Sequence, residues 1–208
     1  MGEPGGMPPR QSALGDLLAP RRIGPEAAPP GVGLSERPVL AIWQISAWRA
    51  ADVLPLRAAL SEQLGLTLPE GPAAASEGNL VLFPVAPRRW WLVLAEDRSI
   101  DLAARLAAAV TGRAALTDLS HGRTVLRLRG PASRNVLQKL CRIDLYPRAL
   151  PAGRVAQTPL GQVAALIHAL DDGPSFDLYL PRSLARSGVE SLIDAATEFG
   201  LAISGEAG

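Results

Sequence analysis

A chain of 208 residues supports one large domain or two small ones. Its 21 Lys and Arg against 20 Asp and Glu leave a formal charge of +1, which gives no field to draw in nucleic acid or an anionic membrane. Hydrophobic residues make up 48% and mean hydropathy is +0.15, yet charges and prolines interrupt every apolar run before the ~20 residues of a membrane span.

Residues 1–36 hold seven prolines and seven glycines, and such a stretch buries too little apolar surface to offset its ordering entropy. A flexible arm is expected there. Its one apolar patch, Leu14-Gly15-Asp16-Leu17-Leu18, leaves a second reading open, an arm ordered on a partner through Leu14, Leu17 and Leu18. From Val39 the pattern changes. Val39 to Trp48 is rich in β-branched and aromatic residues and predicts a strand. Leu56, Leu60 and Leu64 predict a helix over 53–64, with Pro55 in its first turn and Gly65 ending it. Residues 67–78 form a loop, 80–83 a strand, 84–88 a turn and 89–95 a second strand. Ser99 then caps a helix with Leu102, Leu106 and Val110 on one face, before a strand at 114–119.

The second half runs in a similar order. A strand at 124–128 leads through Gly130-Pro131 into a helix burying Val136, Leu137 and Leu140. After a loop at 145–153 come strands at 155–158, 163–170 and 176–180. Ser183 or Ser187 caps a last helix, with Val189, Leu192, Ile193, Ala196 and Phe199 inward and Gly200 at its end. Residues 201–203 close the series as a strand. Both halves, about 37–119 and 120–208, approximate β-α-β-β-α-β, with one extra strand in the second. The expected fold class is α+β, two ferredoxin-like units forming one body over 37–208.

Groups able to do chemistry are sparse. The single Cys141 excludes an intrachain disulfide and a Cys-based metal site, and it ends an amphipathic helix, where a buried thiol is the ordinary role. With no apolar signal core after Met1, it places the chain in the cytoplasm. His168 lies in an apolar strand and reads as a hydrogen-bonded core histidine. His121 belongs to a turn in which Asp118 and Ser120 bond nearby amides. Two distant histidines with Asp171-Asp172 make a poor zinc set, and no Gly-rich phosphate cradle is present. The tryptophans fall in two strands. By the two-residue period, Trp43 and Trp48 face opposite ways, as do the adjacent Trp90 and Trp91, so at least one tryptophan of each pair should lie on the other face, at an edge or against a partner unless helices cover both faces. Arg88, Arg89, Trp90, Trp91 and Trp48 are therefore the candidate partner interface.

Several stretches carry a resemblance: Thr117-Asp118-Leu119-Ser120-His121-Gly122-Arg123, Gly130-Pro131-Ala132, Pro151-Ala152-Gly153-Arg154 with Gln157-Thr158, and Phe176-Asp177-Leu178-Tyr179 with Pro181-Arg182-Ser183. Over residues 114–200 this order resembles the N-terminal part of the glycine-cleavage T-protein (aminomethyltransferase) superfamily. It looks closer still to the gamma subunits of heterotetrameric sarcosine oxidase. The resemblance implies a T-protein-like, folate-binding-like fold and a complex that oxidatively demethylates sarcosine with alpha, beta and delta chains. It implies NAD and a folate-dependent domain on the alpha chain, FAD on the beta chain, FMN near their contact and zinc on the delta chain. The gamma chain would carry no cofactor, catalytic residue or metal ligand and would support assembly. The superfamily's reaction carboxylate would fall within residues 160–168, which hold no Asp or Glu. A free-standing tetrahydrofolate-binding protein is the alternative, and a regulatory or scaffold domain with an unrelated partner is a third reading.

Overall fold

The computed structural model describes residues 12–25, 29–37, 40–95, 99–171 and 173–205. Its strands are β1 (Arg21–Ile23), β2 (Val32–Glu36), β3 (Leu40–Ala47), β4 (Ala75–Glu77), β5 (Leu80–Ala86), β6 (Arg89–Ala95), β7 (Ala114–Asp118), β8 (Arg123–Arg129), β9 (Val155–Leu160), β10 (Val163–Ala169), β11 (Phe176–Pro181) and β12 (Leu201–Ile203). Its helices are α1 (Val53–Leu64), α2 (Ser99–Val110), α3 (Ser133–Leu140) and α4 (Ala185–Ala196). The strands form two sheets, one ordered β4-β5-β6-β3-β7 and the other β1-β12-β2-β8-β11-β10-β9. Removing the short β4 from the first leaves the strand order of a ferredoxin-like unit. The second sheet is built on the same plan from β8, β10, β11 and β12, with β2 inserted between β12 and β8.

Each sheet has one helix-covered face. Leu56 and Leu60 of α1 and Leu102 and Leu106 of α2 pack on Ile45, Leu82, Trp90 and Leu92. Val136 and Leu137 of α3 and Val189 and Leu192 of α4 pack on Leu126, Leu128, Leu178 and Leu180. The other faces meet each other. Ile42, Phe83, Trp91 and Val93 of the first sheet lie against Val125, Val155, Leu166 and Tyr179 of the second, with Phe83 edge-on to Tyr179 at 5.4 Å. The layers therefore run helix, sheet, sheet, helix.

Where residue period and stop signals agree, the elements match expectation. The α1 helix spans Val53–Leu64, buries Leu56, Leu60 and Leu64, and ends at Gly65 with φ 70°. Elsewhere tertiary contacts decide. The 67–78 loop contains β4, paired with β5. The β5 strand runs through Pro84 to Ala86 by way of a bulge, so the turn shrinks to Pro87-Arg88. The α3 helix starts at Ser133, after Pro131. Neither Ser183 nor Ser187 caps α4; a short helical turn at Arg182–Leu184 leads into it with no side-chain cap. The cap expected of Ser99 lies outside the described side chains.

The arm expected over 1–36 needs correcting over residues 12–25 and 29–36, while residues 1–11 and 26–28 lie outside the description. Leu14 and Leu18 are buried in the helix-side core of the larger sheet. Val32 and Leu34 are interior strand residues. Glycine makes that insertion fit. A Cβ on Gly31 would lie 2.8 Å from the Phe199 carbonyl oxygen. One on Gly130, at φ +113°, would lie 2.6 Å from that of Gly31. Composition read Gly31 as entropy; the fold uses it, with Gly130, for close backbone approach.

Candidate functional site

The stretches that carry the family resemblance meet where the two units join. Asp118 accepts from the Ser120 amide at 2.8 Å and from the Ser120 hydroxyl, and that hydroxyl oxygen accepts from the Ile42 amide at 3.0 Å. This clasp fixes the passage from β7 into β8, and it bears out the turn role of Asp118 and Ser120. Gly153, at φ 76°, closes the Pro-Ala-Gly-Arg turn; its carbonyl accepts from Ala74 at 2.6 Å while Val155 donates to the Pro72 carbonyl at 2.8 Å. The first unit's 72–74 segment is thus stitched to the second unit's edge.

The Phe-Asp-Leu-Tyr strand supplies the centre of a buried polar row. In register across the second sheet, on the face toward the first, stand Val155, His168, Asp177, Arg127 and Ser35. Asp177, 5% exposed, accepts two hydrogen bonds from Arg127, Nε and Nη2 both at 2.8 Å, and Arg37 Nε lies 3.9 Å away. Burial pulls the Arg127 guanidinium down, but the hydrogen bonds and charge of Asp177, with smaller help from Tyr179 and Asp171, together more than offset it and leave it above its ordinary pKa. Burial pushes the neighbouring Tyr179 phenol far up, and the Asp177 charge adds to it. His168 is buried with its ring 5.8 Å from that of Phe83. Burial holds its imidazole below the usual range, Asp177 partly opposing and Arg127 assisting.

A folate-dependent transfer needs a free anion beside a developing cation. Residues 160–168 form the β9–β10 turn and β10 with no carboxylate. Asp177, the buried acid opposite His168, is already neutralised by a bidentate guanidinium. The residues present do not fit the role, and no folate step follows from them. Cys141 is buried and its thiol is pushed up by that burial, away from nucleophilic character. Among the described residues, no three His, Cys, Asp or Glu gather as a metal site requires.

The structure divides the residues proposed as an interface. Trp90 is 6% exposed in the helix-side core and donates from Nε1 to the Pro69 carbonyl at 3.1 Å. Trp91 is 8% exposed between the sheets, donates to Gln44 at 3.1 Å and carries the Arg123 guanidinium 4.9 Å above its ring. Both faces of the sheet are covered within the chain, so Trp90 and Trp91 pack as core residues. Trp48, just past β3, is 56% exposed, and Arg88 and Arg89 are exposed beside it. Two hollows that sequence reasoning missed flank the Pro87-Arg88 turn, of about 680 and about 370 Å³. The larger arises from the 69–72 loop and β9 facing the hairpin, the smaller from the hairpin turn beside the end of β3 and Ala115, juxtapositions with no local signal.

The GCVT N-terminal domain family model matches residues 63–207, starting well before the motifs at 117. The chain is 39% identical over 147 residues to the sarcosine oxidase subunit gamma of an Arthrobacter species, covering 68% of this chain and 70% of the relative. It is 37% identical over 147 residues to the subunit gamma of Corynebacterium strain P-1, with 68% and 70% covered. Among solved structures it is similar to the heterotetrameric sarcosine oxidase of Corynebacterium strain U-96, with a TM-score of 0.76 and 27% identity over 91% of this chain and 96% of that one. Its fold is also that of aminomethyltransferase T of the Bartonella henselae glycine cleavage system, at a TM-score of 0.60 and 19% identity over 85% of this chain and 48% of that one.

Proposed function

Because this chain belongs to the sarcosine oxidase gamma subunit family, within the wider family of GCVT N-terminal domains, we propose that it is the non-catalytic gamma subunit of a heterotetrameric, flavin-dependent sarcosine oxidase. In this reading the complex oxidatively demethylates sarcosine and this chain supports assembly of the alpha and beta chains. FAD, FMN, NAD, zinc and tetrahydrofolate all belong to the sister subunits. The near end-to-end likeness to a chain of the Corynebacterium heterotetramer, 91% of one and 96% of the other, carries the proposal. The buried ion pair supports it from the chemical side, since the acid at the polar row faces a cation of its own chain.

Co-expression with alpha, beta and delta chains tests it. The tagged chain should draw out a stoichiometric complex with flavin absorbance, while the chain purified alone is colourless. Calorimetry of the isolated chain with tetrahydrofolate should give a Kd weaker than roughly 10 µM, about −7 kcal/mol. Flavin retained by the single chain, or tighter folate binding, would overturn the non-catalytic reading and favour a free-standing folate-binding protein.

A further inference from the structure

The two hollows share Ala86, Pro87 and Arg88, so the β5–β6 turn stands as a ridge between them. The larger lies between the start of α1, the 69–72 loop and β9, with Arg57, Trp90 and Gln157 in its wall. The smaller runs past Trp48 and Arg89 to Ala115. Among the described residues, Arg88 is the one non-glycine with a positive φ, 60°, at a turn position where glycine is the ordinary choice. Its Nη1 donates to the Trp48 carbonyl at 2.9 Å, so the ridge and the exposed indole are tied together. Arg113 joins them, its carbonyl accepting from the Trp48 amide at 3.2 Å.

The charge here is one-sided. The carboxylates beside the hollows are each taken by an arginine, Asp52 by Arg49 at 3.0 Å and Glu70 by Arg57 at 2.5 Å. Among the described residues, Arg88 and Arg89 have no carboxylate partner, while the Arg113 guanidinium donates to the Ala109 and Thr111 carbonyls at 3.3 Å, at the end of α2. Apolar surface lies beside them: Trp48 is exposed, and Leu54, next to the Val53 of the larger hollow, is 71% exposed. A second copy of this chain docking by a two-fold axis would bring Arg88 and Arg89 against their own copies, which like-charge repulsion disfavours.

We propose that this face docks an acidic segment of a sister subunit, with carboxylates on Arg88 and Arg89 and an apolar side chain against Trp48. The inference rests on the gamma-subunit reading and names the surface through which that role is carried out. The tagged full chain is co-expressed with alpha, beta and delta chains as wild type, Trp48→Ala, the pair Arg88→Gly with Arg89→Glu, and Arg186→Glu on the exposed side of α4 as control. Arg88→Gly suits the test because it relieves the positive φ while removing the charge. Thermal unfolding confirms that each variant is folded.

The arginine pair should weaken association about tenfold or more at low salt, with the gap closing to about threefold or less at high salt. Trp48→Ala should weaken it about tenfold at either salt, and the control should match wild type. Folded variants that assemble with wild-type affinity overturn this surface and leave the gamma-subunit reading standing. A wild-type chain that never assembles overturns both. A dimer of the isolated chain that Trp48→Ala abolishes also overturns the proposal, in favour of self-association.

Discussion

Asp177 sits between two guanidinium groups, and that position sets its chemistry and its contribution to stability. Breaking a buried pair strands the remaining charge. Asp177→Ala should therefore cost about 3 kcal/mol, seen as a fall in Tm of about 6–12 °C. Asp177→Leu with Arg127→Met should recover part of it, because Arg127 is the cation stranded at hydrogen-bond distance while Arg37, at 3.9 Å, stays behind. His168 adds a pH dependence of definite sign. Its pKa is depressed in the fold, so below the ordinary ~6.5 the unfolded chain takes up the proton first. Stability is full above that pH and falls as the medium is acidified, by up to ~1.4 kcal/mol per pH unit. Urea midpoints measured from pH 7.5 to 5 should show the decline, and His168→Gln should flatten it. His168 was legible as a core residue because its strand is apolar on both sides. The fates of Trp90 and Trp91 were not, since strand period shows that neighbours face apart and says nothing of what covers each face.

At the scale of elements, repeated leucines and glycine stops predicted α1 to the residue. The error at the N-terminus came from treating composition as order. Leu14, Leu18, Val32 and Leu34 are buried in the larger sheet's core, and at about 1.5–3 kcal/mol each they contribute roughly 6–12 kcal/mol. That is comparable with the ~5–15 kcal/mol of a whole domain. A chain starting at Arg37 should therefore be insoluble or unfold without a cooperative transition, although 37–208 looked like the complete body. Circular dichroism and a urea titration decide it; cooperative unfolding at the wild-type midpoint would refute the account. Nothing local in Val32-Gly33-Leu34-Ser35-Glu36 announces an interior strand, because its partners β8 and β12 lie about a hundred residues or more away in sequence.

For the molecule as a whole, the apolar excess that suggested a partner-covered surface is largely absorbed by three cores, one beneath each helix pair and one between the sheets. The two-unit plan was legible because each half shows its own alternation of strand and helix signals. Their face-to-face stacking was not, since it depends on hydrophobic residues shared by both faces of each sheet. The motifs behind the family resemblance proved to be joints: Asp118-Leu119-Ser120 clasps β3, and Gly153 clasps the 72–74 segment. The sheet order also bears on biosynthesis. β12 lies between β1 and β2, so the larger sheet cannot close until residue 203 has left the ribosome. Until then the nascent chain holds β2 without its parallel neighbour, an exposed edge that invites chaperone capture or misassociation. Cells making this protein should need the whole polypeptide released before the larger sheet becomes protease-resistant.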